Sequence, residues 1–440
     1  MGGVLKKPSS SDSVHTTSSI TSPALRRSIN SFMSLDYDFC RRTYWLCSEC
    51  GNPRTGYSWC QSCEANRFES EFPHWTSGNI DIDDFIRQSQ KNAYTAHDYL
   101  EWIPYESFVE VKYLASGGYG NVYTAYWKEG PRWAWNEKKM ERVRTGPRKV
   151  VLKSLINSQD ITLDFLNELA LHHICNADGH VIFCYGVSQD PVTKNYLLVM
   201  DYAKSFYKHI IKPSQHITWK KKLEILYDLI IALASLHNKN IIHRNFHPGN
   251  IFLDSKHPGF THISDIGQYF PPNKTYDNAG IYGVLPYVPP EILLGSDYST
   301  ASDIYCFGMI MWSISTGRRP FEDRPHDHSL ALDICNNLRP KAVKGTPPSY
   351  VKLMKRCWDS NPDRRPDSTV VADILEDWLE QLMNDSGNES TIRKEFFMAE
   401  EHRKKGNGSV SSPSTMVHPL SVYTSRLLEF PNLSVELNKS

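Results

Sequence analysis

The sequence predicts an α+β protein in which a small strand-rich part precedes a larger helical part, with a compact cysteine module ahead of both. Three observations carry this expectation. From Phe108 the runs FVEVKYLASG, NVYTAYW and KVVLKSL have strand character, each bounded by Gly, Pro or charge clusters. Beyond about residue 217 the period changes: Leu223, Leu226, Ile230 and Leu233 form one apolar stripe of a helix that Thr218 can cap. Ahead of both, Cys47, Cys50, Cys60 and Cys63 are spaced C-x2-C-x9-C-x2-C. With 40% hydrophobic and 12% aromatic residues over 440 positions, the chain can support a sizeable core.

Residues 1–39 (KKPSSSDSVHTTSSITSP and its surroundings) hold too few apolar groups to offset the entropy of ordering, so a disordered Ser/Thr-rich tail is expected. Gly2 invites a myristoylation reading, but that pattern wants Ser or Thr at position six, where Lys6 stands. Residues 40–66 form the cysteine module. Two knuckles of this spacing can aim four thiolates at one tetrahedral Zn²⁺, closing a loop too short to fold on its own core. A closed four-cysteine set suits structural rather than catalytic metal. With Trp45 and Asn52 in their places, the module is similar to a short zinc ribbon or a Ran-binding-protein-type finger, with a loop one residue shorter than that finger usually has. Cys40 has no partner in the pattern.

Residues 67–107 read as a connector. There IDIDDFIRQSQKNAYTAHDYLEWIPYESF alternates acidic and apolar residues at helical spacing, and Phe85, Ile86, Tyr94 and Tyr99 could pack it on a neighbour. A loosely attached linker fits the same residues. The insertion GPRWAWNEKKMERVRTGPRK reads as a solvated loop over the sheet, although Trp133 and Trp135 among basic residues could also meet a base or a partner. From residue 384 to 440 Ser, Asn, Gly and charges prevail, and a largely disordered tail is expected, with YTSRLLEF as an apolar patch within it.

Global properties narrow the function classes. Basic and acidic residues balance at 49 each, so nothing advertises nucleic acid or a polyacidic partner. No apolar run is long enough for a membrane span, and MGGVLKKPSSSDS lacks a secretory apolar region. Cys175, Cys184, Cys306, Cys335 and Cys357 sit among apolar neighbours as buried thiols of a reducing compartment. The expected location is intracellular, in the cytoplasm.

The chemistry is carried by motifs in a fixed order. Ala115-Ser-Gly117-Gly118-Tyr-Gly120-Asn-Val122 is a glycine turn between strands; VVLK ends on Lys153; Glu168 follows fifteen residues later on a helical pattern. YLLVMDYA supplies Met200, Asp201 and Ala203. Ile241 begins IIHRNFHPGNIFL, with Asn245 and Asn250, and fifteen residues after Asn250 comes Ser264-Asp265-Ile266-Gly267. GVLPYVPPEIL, ASDIYCFGMIMW and CWDSNPDRRP complete the series. In this order and spacing, residues 108–383 resemble a eukaryotic protein kinase domain, most like the tyrosine-kinase-like group. The resemblance implies a bilobal fold with a β-rich N-lobe, a helical C-lobe, and ATP with Mg²⁺ in the cleft.

It further implies residue roles. Gly117, Gly118 and Gly120 would let backbone amides approach the phosphates, and Val122 would cover the adenine. Lys153 would hold phosphates while paired with Glu168. Met200 would be the gatekeeper, with Asp201 to Ala203 as the hinge. Asn250 and Asp265 would ligate Mg²⁺. Glu291 and Arg365 would form a buried structural ion pair, and Asp303 a further anchor. Arg244 could pair with a phosphate on Thr275, Tyr276 or Tyr282.

Several residues depart from the pattern. Ala115 stands for the first Gly, Ile266 for the Phe of D-F-G and Pro289 for the Ala of A-P-E. His247 stands for the Lys usual in serine/threonine kinases, so acceptor preference cannot be read off. One departure bears on the chemistry. The family has Asp where this chain has Asn245, and an amide cannot take the proton of a substrate hydroxyl. General-base catalysis is typically worth about 10² to 10⁴ in rate, or roughly 3 to 6 kcal/mol. Two readings follow: an ATP-binding kinase that transfers phosphate slowly to protein hydroxyls, or a pseudokinase scaffold that binds nucleotide and partner proteins. A zinc-ribbon RNA-binding protein with a passenger lobe is a third reading, and the neutral charge gives it little support.

Overall fold

The structure is a computed structural model describing residues 43–117, 120–136, 138–139, 141–154, 158–159, 163–176, 178–254, 260–266, 281–383, 390–405, 417–430 and 433. Gly118, Gly267, Cys40, Thr275 and Tyr276 therefore lie outside the described residues, as does the 1–39 tail.

A six-stranded sheet is built from β1 (Glu101–Trp102), β2 (Phe108–Gly117), β3 (Gly120–Trp127), β6 (Arg148–Ser154), β7 (Cys184–Gln189) and β8 (Tyr196–Asp201), in the order β1-β7-β8-β6-β3-β2. β1 adds in parallel to β7, and all other pairs are antiparallel. Gly186, at φ +154°, makes that addition possible, because a Cβ there would lie 1.9 Å from the Glu101 carbonyl oxygen. The helix α3 (Leu163–Asn176) lies against this sheet, with Phe165, Leu166 and Leu169 buried beside Val187, Leu198 and Met200.

The connector is folded and carries weight. α1 (Gln61–Glu71) runs across the expected 66/67 boundary, and α2 (Ile80–Asn92) begins at Asn79, whose Oδ1 accepts from the Asp81 and Ile82 amides. Ile82 and Ile86 are fully buried against Phe165, Leu166 and Leu169 of α3. Of the two alternatives for this segment, packing prevails because the apolar residues recur at helical spacing and meet an apolar helix face. The insertion is not a solvated loop. β4 (Ala134–Asn136) and β5 (Glu141–Val143) pair as a hairpin. Trp133 packs at ring distances of 5.2 and 5.5 Å from Phe183 and Tyr185, and Arg142 is buried against the cysteine module. The aromatic residues that suggested a partner surface have a partner within the chain.

The helical lobe is organised around α4 (Trp219–Asn238), whose Thr218 caps it as the sequence indicates. Beside it lie α6 (Thr300–Thr316), α8 (Pro348–Cys357) and α9 (Ser368–Met383), which enclose the main core. α5 (Pro290–Leu293) and α7 (His328–Cys335) build a second apolar cluster around Leu285, Val288, Ile292 and Leu330. Three short strands, β9 (Lys204–Ser205), β10 (Ile251–Leu253) and β11 (Thr261–Ile263), line the lobe junction in the order β11-β10-β9.

The expected largely disordered tail after residue 384 is corrected in two places. α10 (Thr391–Lys404) buries Phe396 and Ala399, and its carboxylates serve neighbouring helices: Glu400 accepts from the Trp219 amide at 3.1 Å and Glu395 from the Ser349 amide at 2.8 Å. Helix N-termini leave orphan N–H groups and a partial positive charge, so both acids are placed where they stabilise most. Further on, β13 (Arg426–Leu428) pairs antiparallel with β12 (Ile281–Gly283).

Candidate functional site

The cleft is assembled from elements distant in sequence. Val122 on β3 is the cross-strand partner of Lys153 on β6, and Ala115 on β2 faces Val122 in turn. Gly117 pairs with Gly120 across the turn. The Lys153 ammonium is buried and bridges two carboxylates, 2.6 Å from Glu168 Oε1 and 2.8 Å from Asp265 Oδ1. Burial disfavours its charge, but Asp265 and then Glu168 outweigh that cost and hold its pKa above the ordinary value. Burial would raise Asp265; the ammonium of Lys153 reverses this and holds the carboxyl below the usual range. Asp265 is thus a carboxylate at neutral pH.

Met200 is buried at the back of the cleft on β8. Asp201, at its end, is fixed by Arg148 at 2.5 Å, and Ala203 follows two residues on. Asn250 Nδ2 donates to the Asn245 carbonyl at 3.0 Å, and the Ser264 amide donates to the Asn250 carbonyl at 2.9 Å, which ties the Asn245 loop to Asp265 through its neighbour. Arg244 and Asp265 both have φ in the left-handed region, +65° and +55°. Such conformations are costly for residues with a Cβ and persist only when surroundings impose them. For Arg244 the cause is Asp303, fully buried on α6, whose two oxygens accept from the His243 amide at 2.8 Å and the Arg244 amide at 3.0 Å. The same carboxylate lies 3.0 Å from His237 Nε2.

Below the loop, Arg365 donates to both oxygens of Glu291 at 2.6 and 2.7 Å, with its side chain fully enclosed. This fixes the chain between β12 and α6. A matching sequence profile then decides the family: the description "Protein tyrosine and serine/threonine kinase" matches residues 108–375.

The chain belongs to the protein kinase family. It is 27% identical over 311 residues to a serine/threonine-protein kinase/receptor of Acanthamoeba polyphaga mimivirus, covering 69% of this chain and 18% of that one. It is 26% identical over 299 residues to the ankyrin repeat and protein kinase domain-containing protein 1 of Mus musculus, covering 64% and 38%. To the serine/threonine-protein kinase gdt2 of Dictyostelium discoideum it is 27% identical over 292 residues, covering 64% and 16%. The chain thus spans well under half the length of these relatives. Its kinase domain has the β-sheet N-lobe and helical C-lobe expected, and among the described residues no helix is long and apolar enough to cross a membrane.

In this kinase domain the Asn245 side of the cleft differs from the Lys153 side. Asn245 is buried, and His247 beside it is pushed down to about 3 by burial, so its imidazole stays neutral. The Gly249 amide donates to His247 Nδ1 at 3.0 Å, which leaves the ring proton on Nε2. Both residues touch Ser425 of the C-terminal segment. Sequence reasoning missed that contact; its trace was the apolar patch YTSRLLEF.

The four module cysteines converge as their spacing implies. Their Sγ atoms lie within 4.8 Å of one another, with Cys47 to Cys63 at 3.8 Å and Cys50 to Cys60 at 3.5 Å. Tetrahedral Zn–S bonds of about 2.3 Å require S···S separations of about 3.8 Å, so the set fits that metal. Cys60 is the residue before α1 and Cys63 lies in its first turn. Between them and the kinase domain, the Arg142 guanidinium stacks over Trp59 at 4.8 Å, lies 3.6 Å from Glu64 and donates to the Ser58 carbonyl. Trp59 Nε1 in turn donates to the Ala93 carbonyl at 2.9 Å.

Proposed function

We propose that the cleft binds ATP with Mg²⁺ and transfers phosphate to protein hydroxyls at a reduced rate. The observation that carries this reading is the Lys153 bridge: an ammonium already paired with Glu168 and Asp265 is poised to meet phosphate oxygens, and these three charges remain although the base is gone. Asp265 is ionised, and Asn250, its Nδ2 committed to the Asn245 carbonyl, has its amide oxygen to offer; both are hard ligands suited to Mg²⁺. When bound, that ion neutralises charge on the phosphates. Phosphoryl transfer depends mostly on positioning and electrostatics, so loss of a base slows it rather than stopping it.

The second reading, a nucleotide-binding pseudokinase that works through partner proteins, is favoured by the neutral acceptor side, where Asn245 stands in place of a carboxylate and the neighbouring His247 is neutral. The two separate on one assay: phosphate incorporation from labelled ATP, native chain against Asp265→Ala. Signal above that control supports slow transfer; equality of the two, with MgATP still raising the melting temperature, supports the scaffold. No thermal shift by MgATP would remove both.

We also infer a structural Zn²⁺ on Cys47, Cys50, Cys60 and Cys63. The sulfur separations support it, and the set leaves no open position for reactive water. Metal analysis of the purified chain should return one zinc per chain, and none after Cys50→Ser together with Cys63→Ser.

A further inference from the structure

We propose that the face between Asn245, β12 and α7 is a binding site for an extended acceptor peptide, and that residues 417–430 of the same chain fill it. The assignment of its centre as the acceptor seat rests on the phosphotransfer reading; the binding itself does not.

The segment is held along its length. β13 pairs with β12 in the register Ile281 to Leu428, Tyr282 to Leu427 and Gly283 to Arg426, and the two make a sheet of their own in which the segment is held through its backbone as a docked peptide strand is. One residue before Arg426, the Ser425 hydroxyl lies 3.1 Å from Asn245 Nδ2, 3.3 Å from its Oδ1, and 3.0 Å from His247 Nε2. That is where a hydroxyl must sit if the group at position 245 is to act on it. Gly283, the β12 residue paired with Arg426, lies beside this group: a Cβ there would stand 3.2 Å from Val288 Cγ2 and 3.9 Å from Asn245 Oδ1.

Two side-chain anchors flank the seat. Two residues upstream, Tyr423 donates to the Pro320 carbonyl at 2.8 Å, under the Arg319 guanidinium at 4.7 Å and edge-on to His326 at 4.8 Å. Three residues downstream, Leu428 is buried among Leu285, Val288, Ile292 and Leu330. Two bonds to the His326 backbone complete the strap: its amide donates to Leu420 O at 3.0 Å, and its carbonyl accepts from the Arg426 guanidinium at 2.8 Å. The ligand class follows: an extended peptide with a hydroxyl residue, an aromatic residue two before it and a large aliphatic residue three after it.

Asn245 adapts the seat to hold rather than activate. His247 Nε2–H and Asn245 Nδ2–H both donate to Ser425 Oγ, occupying the lone pairs an attacking hydroxyl would use, while the Ser425 proton is directed at Asn245 Oδ1. An aspartate would offer no such donor. The segment therefore acts as a tethered competitor that an outside peptide must displace.

The test uses full-length chains and a fluorescent peptide copying residues 417–430, followed by anisotropy. Leu428→Asp in the protein should release the strap and let the labelled peptide bind about tenfold or more tighter than to the native chain, because the tethered copy no longer competes. Tyr423→Ala in the protein should act in the same direction, and guards against a folding failure of the first variant. A peptide that itself carries Leu428→Asp should not bind. Hydrogen exchange at Ile281–Gly283 should be slow in the native chain and fast in both variants. Equal peptide affinity for native and variant chains, or unchanged exchange, would overturn the proposal. Tight peptide binding by a variant that incorporates no phosphate would instead retire the phosphotransfer reading and leave this site standing.

Discussion

The two sides of the cleft are built on opposite electrostatic plans. On the Lys153 side, the ammonium of Lys153 lies 2.6 Å from Glu168 and 2.8 Å from Asp265, and Lys153 and Asp265 each hold the other in its charged form. On the Asn245 side, Asn245 and His247 are buried, neutral and hydrogen-bonded to Ser425. A buried charge stripped of its partner is expensive, whereas a neutral amide is cheap to bury once its hydrogen bonds are made. The lesson is that one side can be neutralised without loss of fold, because the loop between them is held by Asp303 and not by the residue at position 245.

The sharpest test of this contrast is Asn245→Asp. If the nucleotide side is competent, restoring a carboxylate should raise phosphate incorporation by about 10²-fold over the native chain, with no gain in the double variant that also carries Asp265→Ala. It should also weaken the strap, since the Asn245 Nδ2 donor to Ser425 disappears. Unchanged incorporation with MgATP binding intact would mean that the acceptor side is limited by occupancy rather than by the missing base.

A smaller effect should come from the cysteine module, and it should fall on the nucleotide side alone. Trp59, Phe68 and Tyr99 join the module to α1 and the connector, and α2 then packs Ile82 and Ile86 on α3, the helix that carries Glu168. Chelation, or Cys50→Ser, should lower the melting temperature by several degrees and diminish the MgATP-induced rise, while peptide binding to the Leu428→Asp chain stays the same. Loss of both functions together would show that the module stabilises the whole body and does not act through α3.

How much of this was legible in the sequence differs in the same way. Lys153, Glu168 and Asp265 stand out as single letters at fixed separations, and the structure brings their side chains together; the phosphate and Mg²⁺ roles assigned to them and to Asn250 belong to the proposal. Asp303, Glu291 and Arg365 were legible for the same reason. The packing partners were not. Arg142 lies in a basic stretch that reads as solvated, and only the fold brings Trp59 and Glu64 to it. Ser425 lies 180 residues beyond Asn245 in a segment whose composition predicts disorder, and its order comes from Leu428 and Tyr423 entering sites made by other elements.

The smallest expected effect is a pH dependence confined to the acceptor side. Burial depresses the His247 pKa from about 6.5 to about 3, so above 6.5 folding carries no proton penalty there. As pH falls below 6.5 an unfolded or detached imidazole takes up a proton that the docked one cannot, and this stability is lost progressively toward pH 3. His243, also buried and lowered by burial, acts in the same sense. Asp265 works in a separate window: its pKa lies below 3.8, so its contribution is intact above that value and lost only as pH falls through its lowered pKa. Between pH 7 and 5, exchange at Ile281–Gly283 and Arg426–Leu428, corrected for its intrinsic pH dependence, should therefore speed up while MgATP-induced stabilisation persists. His247→Gln keeps a donor but removes the titration and should flatten most of that change; a profile as steep as that of the native chain would assign it to His243 or to His326, which packs on Tyr423 and is also lowered by burial, and leave His247 as a hydrogen-bond donor alone.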